Sequence, residues 1–342
     1  MPRRAVSFSS SRRVRRCKRR VCFSAWVPVS SRFNPARGLL AAVATALVAT
    51  ALAGAAGDAW RAGAPLPVER SEVAAAVLRG ELVGAGGFLA DGSSSAQVDA
   101  YSPALDAWRR LRDLPVGVNH AMAASAGGRL YVLGGYGEDR APLRSVFVLE
   151  GETWRSLRPL PEPRAAGGAA VVGRFLYVVG GVGPRGLAQE MLALDLRTGR
   201  WSRLPGPAPR EHLGVAALGG KVYAVGGRRA GIDTNVAVAE AYAPATRSWM
   251  RVRPVPSPRG GTGLAAARGR LFSVGGERPG GTIASVWAFD VATGRWQRLP
   301  DLPTPRHGLG VAVLEGRLYA VAGGKEPGLF VSGANEILDL GP

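Results

Sequence analysis

Three histidines, one glutamate and five arginines carry most of the chemistry this chain can offer, and they recur at fixed places. Arg70, Arg164, Arg210, Arg259 and Arg306 each stand sixteen residues before a pair of small residues: Gly86-Gly87, Gly180-Gly181, Gly226-Gly227, Gly275-Gly276 and Ala322-Gly323. Val118 holds the same place before Gly134-Gly135. Two residues after that position come Glu72, His120 and His212, and one residue after it comes His307. A guanidinium makes forked bonds to carboxylate or sulfate, and like charges brought together concentrate anions. Imidazole and carboxylate can move protons near neutral pH, and both bind metals. Arg70, Arg164, Arg210, Arg259, Arg306 and His307 are thus the candidates for binding an anionic ligand. Glu72, His120 and His212 are weaker candidates for acid–base catalysis.

What positions these residues is a repeat. Trp60, Trp108, Trp154, Trp201, Trp249 and Trp296 stand 46 to 48 residues apart, and the small-residue pairs keep the same interval. Before each pair runs an apolar segment such as RLYVLGG (129–135), FLYVVGG (175–181) or KVYAVGG (221–227). These runs are too short for helices, are rich in β-branched and aromatic residues and end in glycine, so they read as strands. A second strand with an aromatic-acid signature follows each pair, as in VDAYSP (98–103), LALDLRTG (192–199) and VWAFDVATG (286–294), and then come a turn and the tryptophan. A further β run, such as GVAAL (214–218), precedes each small-pair strand. One period therefore holds four short strands.

Small pair, aromatic-acid strand and tryptophan, recurring in one order, resemble the kelch repeat, and the resemblance covers residues 58–342. It implies an all-β fold, a six-bladed kelch β-propeller. The double glycines permit positive φ and close approach between blades, and the tryptophans fill the wedges between them. The last period ends in NEILDL (335–340) without a tryptophan, whereas Trp60 with Leu66-Pro67 matches the missing segment. An open ring would expose strand edges, so an N-terminal strand is expected to complete the sixth blade.

Charge is distributed unevenly. The net charge is +19, but residues 1–57 hold 11 Lys and Arg and no acid, leaving 33 basic against 25 acidic residues, or +8, beyond them. That argues against nucleic acid as the partner. Residues 1–37 read as a basic leader or an over-long translation start. Residues 38–57 carry no charge and end in small residues, the pattern of a signal peptide or a membrane anchor. Either way the propeller is expected outside the cytoplasm: periplasmic, secreted or at the cell surface. Cys17 and Cys22, the only cysteines, precede it.

The arginines follow the Leu-Pro turns, and the resemblance places them where the chain enters each inner strand. Two readings stand: a ring of cations around the channel mouth, or a repeated structural role capping carbonyls at the rim. Kelch inner strands often begin with histidine, so His120, His212 and His307 are assigned a structural role, with no metal and no cofactor expected. Glu138, Asp139, Arg140, Arg228, Arg229, Asp233, Glu277 and Arg278 should frame the same mouth. Together these features favour an exported, monomeric binding module for an anionic glycan, peptide or protein partner. The alternative is an enzyme similar to bacterial sialic acid mutarotases, acting on an acidic sugar. A galactose-type copper-radical oxidase is excluded because the repeats hold no cysteine, and no partner domain of the kind found in eukaryotic kelch adaptors precedes them.

Overall fold

The apolar runs before the small pairs are buried on both faces and fold as the second strand of each period. The computed structural model describes residues 59–341, so the expectations for residues 1–37 and 38–57 lie outside the described residues. Within that range there is a single turn of 3-10 helix, Ile232–Thr234. All else is strands and their connections. Six antiparallel four-stranded sheets form, five of them each from one period of the repeat and the sixth from the last period with the N-terminal strand. Their inner strands are Ala74–Leu78, Met122–Ala126, Gly168–Val172, Gly214–Leu218, Gly263–Ala267 and Gly310–Leu314. Each packs against the next, and the sixth returns to the first, so the sheets are the six blades of a closed propeller. Blades 3 and 5 add a short hairpin after the small pair, Val182–Gly183 with Gly186–Leu187 and Glu277–Arg278 with Gly281–Thr282.

Ring closure follows the expectation. Blade 6 consists of Gly310–Leu314, Arg317–Val321, Asn335–Asp339 and the N-terminal strand Arg61–Ala62, which pairs as Arg61↔Ile337 and Ala62↔Glu336. Trp60 Nε1 donates to the Pro300 carbonyl of blade 5 at 3.0 Å. The other five tryptophans repeat this bond: Trp108, Trp154, Trp201, Trp249 and Trp296 donate to Ala64, Arg112, Arg158, Pro205 and Arg253. Each indole is thereby tied to the end of the preceding blade. Six buried apolar clusters form the core, and each includes one of these tryptophans at its edge. The tryptophans are wedge residues, as the repeat predicts.

The small pairs link neighbouring blades. The second residue of each pair donates its N–H to the carbonyl at the arginine position of the next blade: Gly87 to Val118, Gly135 to Arg164, Gly181 to Arg210, Gly227 to Arg259, Gly276 to Arg306 and Gly323 to Arg70, at 2.7–2.9 Å. Gly226 shows why the first residue is small. Its φ is +67°, and a Cβ there would lie 2.7 Å from the Arg259 carbonyl oxygen.

Candidate functional site at the channel neck

The five repeat arginines do not line the channel. Arg70, Arg164, Arg259 and Arg306 are fully buried and Arg210 is 1% exposed. Each guanidinium turns back into its own blade and donates to the carbonyl sixteen residues on, that of Gly86, Gly180, Gly226, Gly275 or Ala322. Four also meet a carboxylate: Arg70 with Asp99, Arg164 with Glu162, Arg210 with Glu240 at 2.5 Å and Arg306 with Glu336 at 2.5 Å. Arg259 has no acid and is held by the hydroxyls of Ser257 and Ser285, each at 2.6 Å. Burial, with Arg298 nearby, pushes its pKa down to about 10, so it is still charged at neutral pH. The expectation of an arginine ring binding anions is corrected accordingly: these side chains are buried and bonded within their own blades, and the carbonyl-capping reading is the one the fold realises.

The channel itself is closed at one level by the backbone. His120 N–H donates to the Glu72 carbonyl at 3.0 Å, Ala166 to His120 at 3.0 Å, His212 to Ala166 at 2.8 Å, Gly261 to His212 at 2.9 Å and Gly308 to Gly261 at 2.9 Å. Val73 N–H closes the circle on the Gly308 carbonyl at 3.4 Å. All six residues of this annulus have left-handed backbones, with φ of +53° at Glu72, +51° at His120, +54° at Ala166, +52° at His212, +64° at Gly261 and +58° at Gly308. Glycine adopts that conformation freely, whereas other residues are strained in it. Blades 5 and 6 use glycine; blades 1, 2 and 4 carry the strain at Glu72, His120 and His212.

Those three side chains meet in the neck. His120 Nε2 lies 2.9 Å from His212 Nε2 and 3.3 Å from Glu72 Oε2. Ala166, from the blade between them, has only a methyl group there, so rings from blades 2 and 4 can touch. His307 joins from blade 6, its Nδ1 donating to Glu72 Oε1 at 3.0 Å and its Nε2 lying 3.0 Å from the Glu326 carbonyl. Glycines make room for it: a Cβ on Gly308 would sit against the Glu72 carboxylate, and one on Gly324 would lie 2.6 Å from His307 Nε2.

A second layer holds the cluster. His120 Nδ1 is 2.6 Å from Asn119 Oδ1, and its ring is flanked edge-on by Phe88 and Tyr136, each with centroids 5.5 Å away. Arg228 donates to His212 Nε2 at 2.9 Å, to Glu211 Oε1 at 3.0 Å and to Glu277 Oε1 at 2.5 Å. Glu211 Oε1 lies 3.3 Å from His212 Nδ1, near it but off the direction of a hydrogen bond. Burial disfavours a charge on Glu72, but the neighbouring imidazoles and the bond from His307 override it and hold the carboxyl well below the usual range. Burial pushes His120 down to about 4 against the pull of Glu72. His307 is raised: burial works against its proton, but the bond to Glu72 and the charges of Glu72 and Glu277 outweigh that.

Glu72, His120 and His212, which share one register of the repeat, are thus brought together, and His307, one position earlier in its blade, joins them. Arg228 and Glu277, expected at the mouth, turn inward and join them. Asn119, Glu211, Phe88, Tyr136 and the small Ala166 were not singled out in the sequence. They were findable: Asn119 and Glu211 stand just before His120 and His212, Phe88 and Tyr136 just after a small pair, and Ala166 at the blade 3 position that matches Glu72, His120 and His212. The channel offers about 140 Å³, lined by Glu72, His120, His212 and the inner strands.

Six blades closed by an N-terminal strand, with polar side chains gathered at one neck, define a propeller of the repeat class. The chain matches the KLHDC2/KLHL20/DRC7 Kelch-repeats domain over residues 73–254 and the Kelch motif over residues 258–303. It belongs to the kelch-repeat family. No curated protein matches it. Kelch repeats generally mediate protein binding.

Proposed function

We propose that the propeller is an exported binding module whose mouth takes an acidic segment of a partner protein. One observation carries this reading. Arg140, Arg185, Arg229, Arg278 and Lys325, one from the loop after the small pair in each of blades 2 to 6, are exposed, and none belongs to an ion pair among the described residues. Beside them on the blade 6 loop stand Leu329 and Phe330, 46% and 49% exposed. The loops of blades 1 and 2 carry Asp91, Glu138 and Asp139 against Arg140, and those of blades 3 to 6 carry Arg185, Arg229, Arg278 and Lys325 against Asp233 and Glu326, so the rim is polarised and an acidic segment would lie across blades 3 to 6. Exposed ion pairs contribute about 0–1 kcal/mol each, so the cations steer and orient the partner. Burying Leu329 and Phe330, worth up to about 1.5–3 kcal/mol for a fully exposed side chain, supplies affinity.

A sugar finds less support. Small-molecule pockets span roughly 300–1,000 Å³, and the channel's 140 Å³ is well below that. An acidic monosaccharide would have to sit above the neck and not among Glu72, His120 and His212. Export rests on the uncharged run 38–57 and its small-residue end. N-terminal sequencing of the native protein tests it: a mature terminus near residues 53–60 supports export, and a cytoplasmic protein starting at Met1 refutes it.

The binding test is fluorescence anisotropy with Asp/Glu-rich peptides containing Leu or Phe, alongside sulfated glycans and acidic sugars as competitors. Binding to the peptides should weaken as salt rises and be lost in the triple variant Arg185→Glu, Arg229→Glu, Arg278→Glu. Equal binding by that variant, or binding of glycans without peptides, sinks the reading.

A further inference from the structure

Three acceptors converge in the neck. A guanidinium only donates, so His212 Nε2, 2.9 Å from Arg228 Nη2, carries a lone pair. Asn119 is oriented by its amide, which donates to Ser94 Oγ at 2.8 Å and so turns Oδ1 toward His120 Nδ1. With Asn119 Oδ1 as the acceptor 2.6 Å from Nδ1, the ring proton of His120 can sit there, which frees Nε2 as a second lone pair. Glu72 Oε2 presents the third. These three atoms lie within 4.8 Å of one another.

We propose that the channel neck binds a divalent transition-metal ion of the zinc class through His120 Nε2, His212 Nε2 and the Glu72 carboxylate. Ligand atoms held about 2.0–2.1 Å from such an ion stand roughly 2.9–3.4 Å apart at angles of about 90–110°. Two edges of the triangle, 2.9 Å and 3.3 Å, already have that length. Each ligand is also oriented from behind, as metal ligands are: His120 by Asn119, Glu72 by His307, and His212 with Glu211 beside its far nitrogen. Charge agrees. Glu72, Glu211 and Glu277 face two cations, the Arg228 guanidinium and the His307 ring, whose two nitrogens both meet oxygen acceptors, so the cluster keeps a net negative charge toward a divalent ion.

The backbone supplies an independent argument. Strained left-handed residues persist where function holds them, and the three ligands are three of the four non-glycine residues of the annulus. Two histidines and a carboxylate leave at least one coordination position for water or a bound carboxylate. Arg228 Nη2 occupies the edge of the site and withdraws when the ion enters, keeping its bonds to Glu211 and Glu277.

The test uses the full chain without a histidine tag, stripped with chelator and titrated with Zn²⁺ by calorimetry and with Co²⁺ by visible absorption. One equivalent of each should bind, with a Co²⁺ band in the visible. His120→Gly and His212→Gly, which glycine's tolerance of φ near +50° keeps folded, should each weaken binding at least tenfold, as should Glu72→Gln. Arg228→Gln removes the competing donor and should tighten it. Circular dichroism checks the fold of every variant; should one fail to fold, the remaining ligand variants decide in the same way. Failure of the wild-type chain to bind either ion, or binding unchanged in the folded ligand variants, overturns the proposal.

Discussion

Removing Arg306 should destabilise the whole propeller and not merely blunt a binding surface. Its guanidinium donates to the carbonyls of Ala322 at 2.7 Å, Thr304 at 2.7 Å and Ala320 at 2.6 Å and to Glu336 Oε2 at 2.5 Å. Arg306→Ala leaves Glu336, 7% exposed, as a buried carboxylate without a counterion. Breaking a buried pair from one side costs about 3–5 kcal/mol, a large share of the roughly 5–15 kcal/mol that holds a typical protein folded. At about 2 °C per kcal/mol for a domain of this size, the melting temperature should fall by roughly 6–10 °C. Differential scanning calorimetry of Arg306→Ala measures this directly. Arg306→Met combined with Glu336→Met should recover part of the loss, because no orphaned charge remains while the carbonyls of Ala322, Thr304 and Ala320 stay without their donor. Arg259 is the internal control: it lacks a carboxylate partner, so Arg259→Met should cost less than Arg306→Met. A melting temperature for Arg306→Ala within a degree of wild type, with loss only of anion binding, would refute the capping role and restore the arginine ring at the mouth.

The neck and ring closure invite further tests by thermal melting. Ala166→Gly should be neutral or stabilising by up to about 1 kcal/mol, since φ of +54° strains alanine and not glycine; clear destabilisation would contradict the annulus geometry. Gly214→Ala should destabilise by about 1–3 kcal/mol, because the new Cβ lies 2.5 Å from Leu264 Cβ on the next blade. Deleting the chain through residue 65 removes the partner of Asn335–Asp339 and the Trp60 bond to Pro300. The product should melt lower and self-associate through its open edge, visible as a concentration-dependent mass in light scattering; a stable monomer would argue that the N-terminal strand is dispensable.

Much of this protein is determined locally, and so is legible in the chain alone. A run such as RLYVLGG can only be a short buried strand ending where φ turns positive, and the tryptophan must find an apolar wedge. Because every period repeats these needs, the number of blades and the closure by Trp60 and Arg61–Ala62 follow from counting. The direction of the arginines does not. Sixteen residues before a small pair is compatible with a side chain facing the channel or one folded back on its blade, and only the carbonyls of Gly86, Gly180, Gly226, Gly275 and Ala322, exposed by the turn of each small pair, decide it. The neck cluster is likewise tertiary. His120 and His212 are 92 residues apart and Glu72 and His307 are 235 apart, and they touch because the ring curves them toward one axis where Ala166, Gly261 and Gly308 leave space. Repetition specifies the scaffold residue by residue, but which side chains meet across its centre depends on what the blades between them omit.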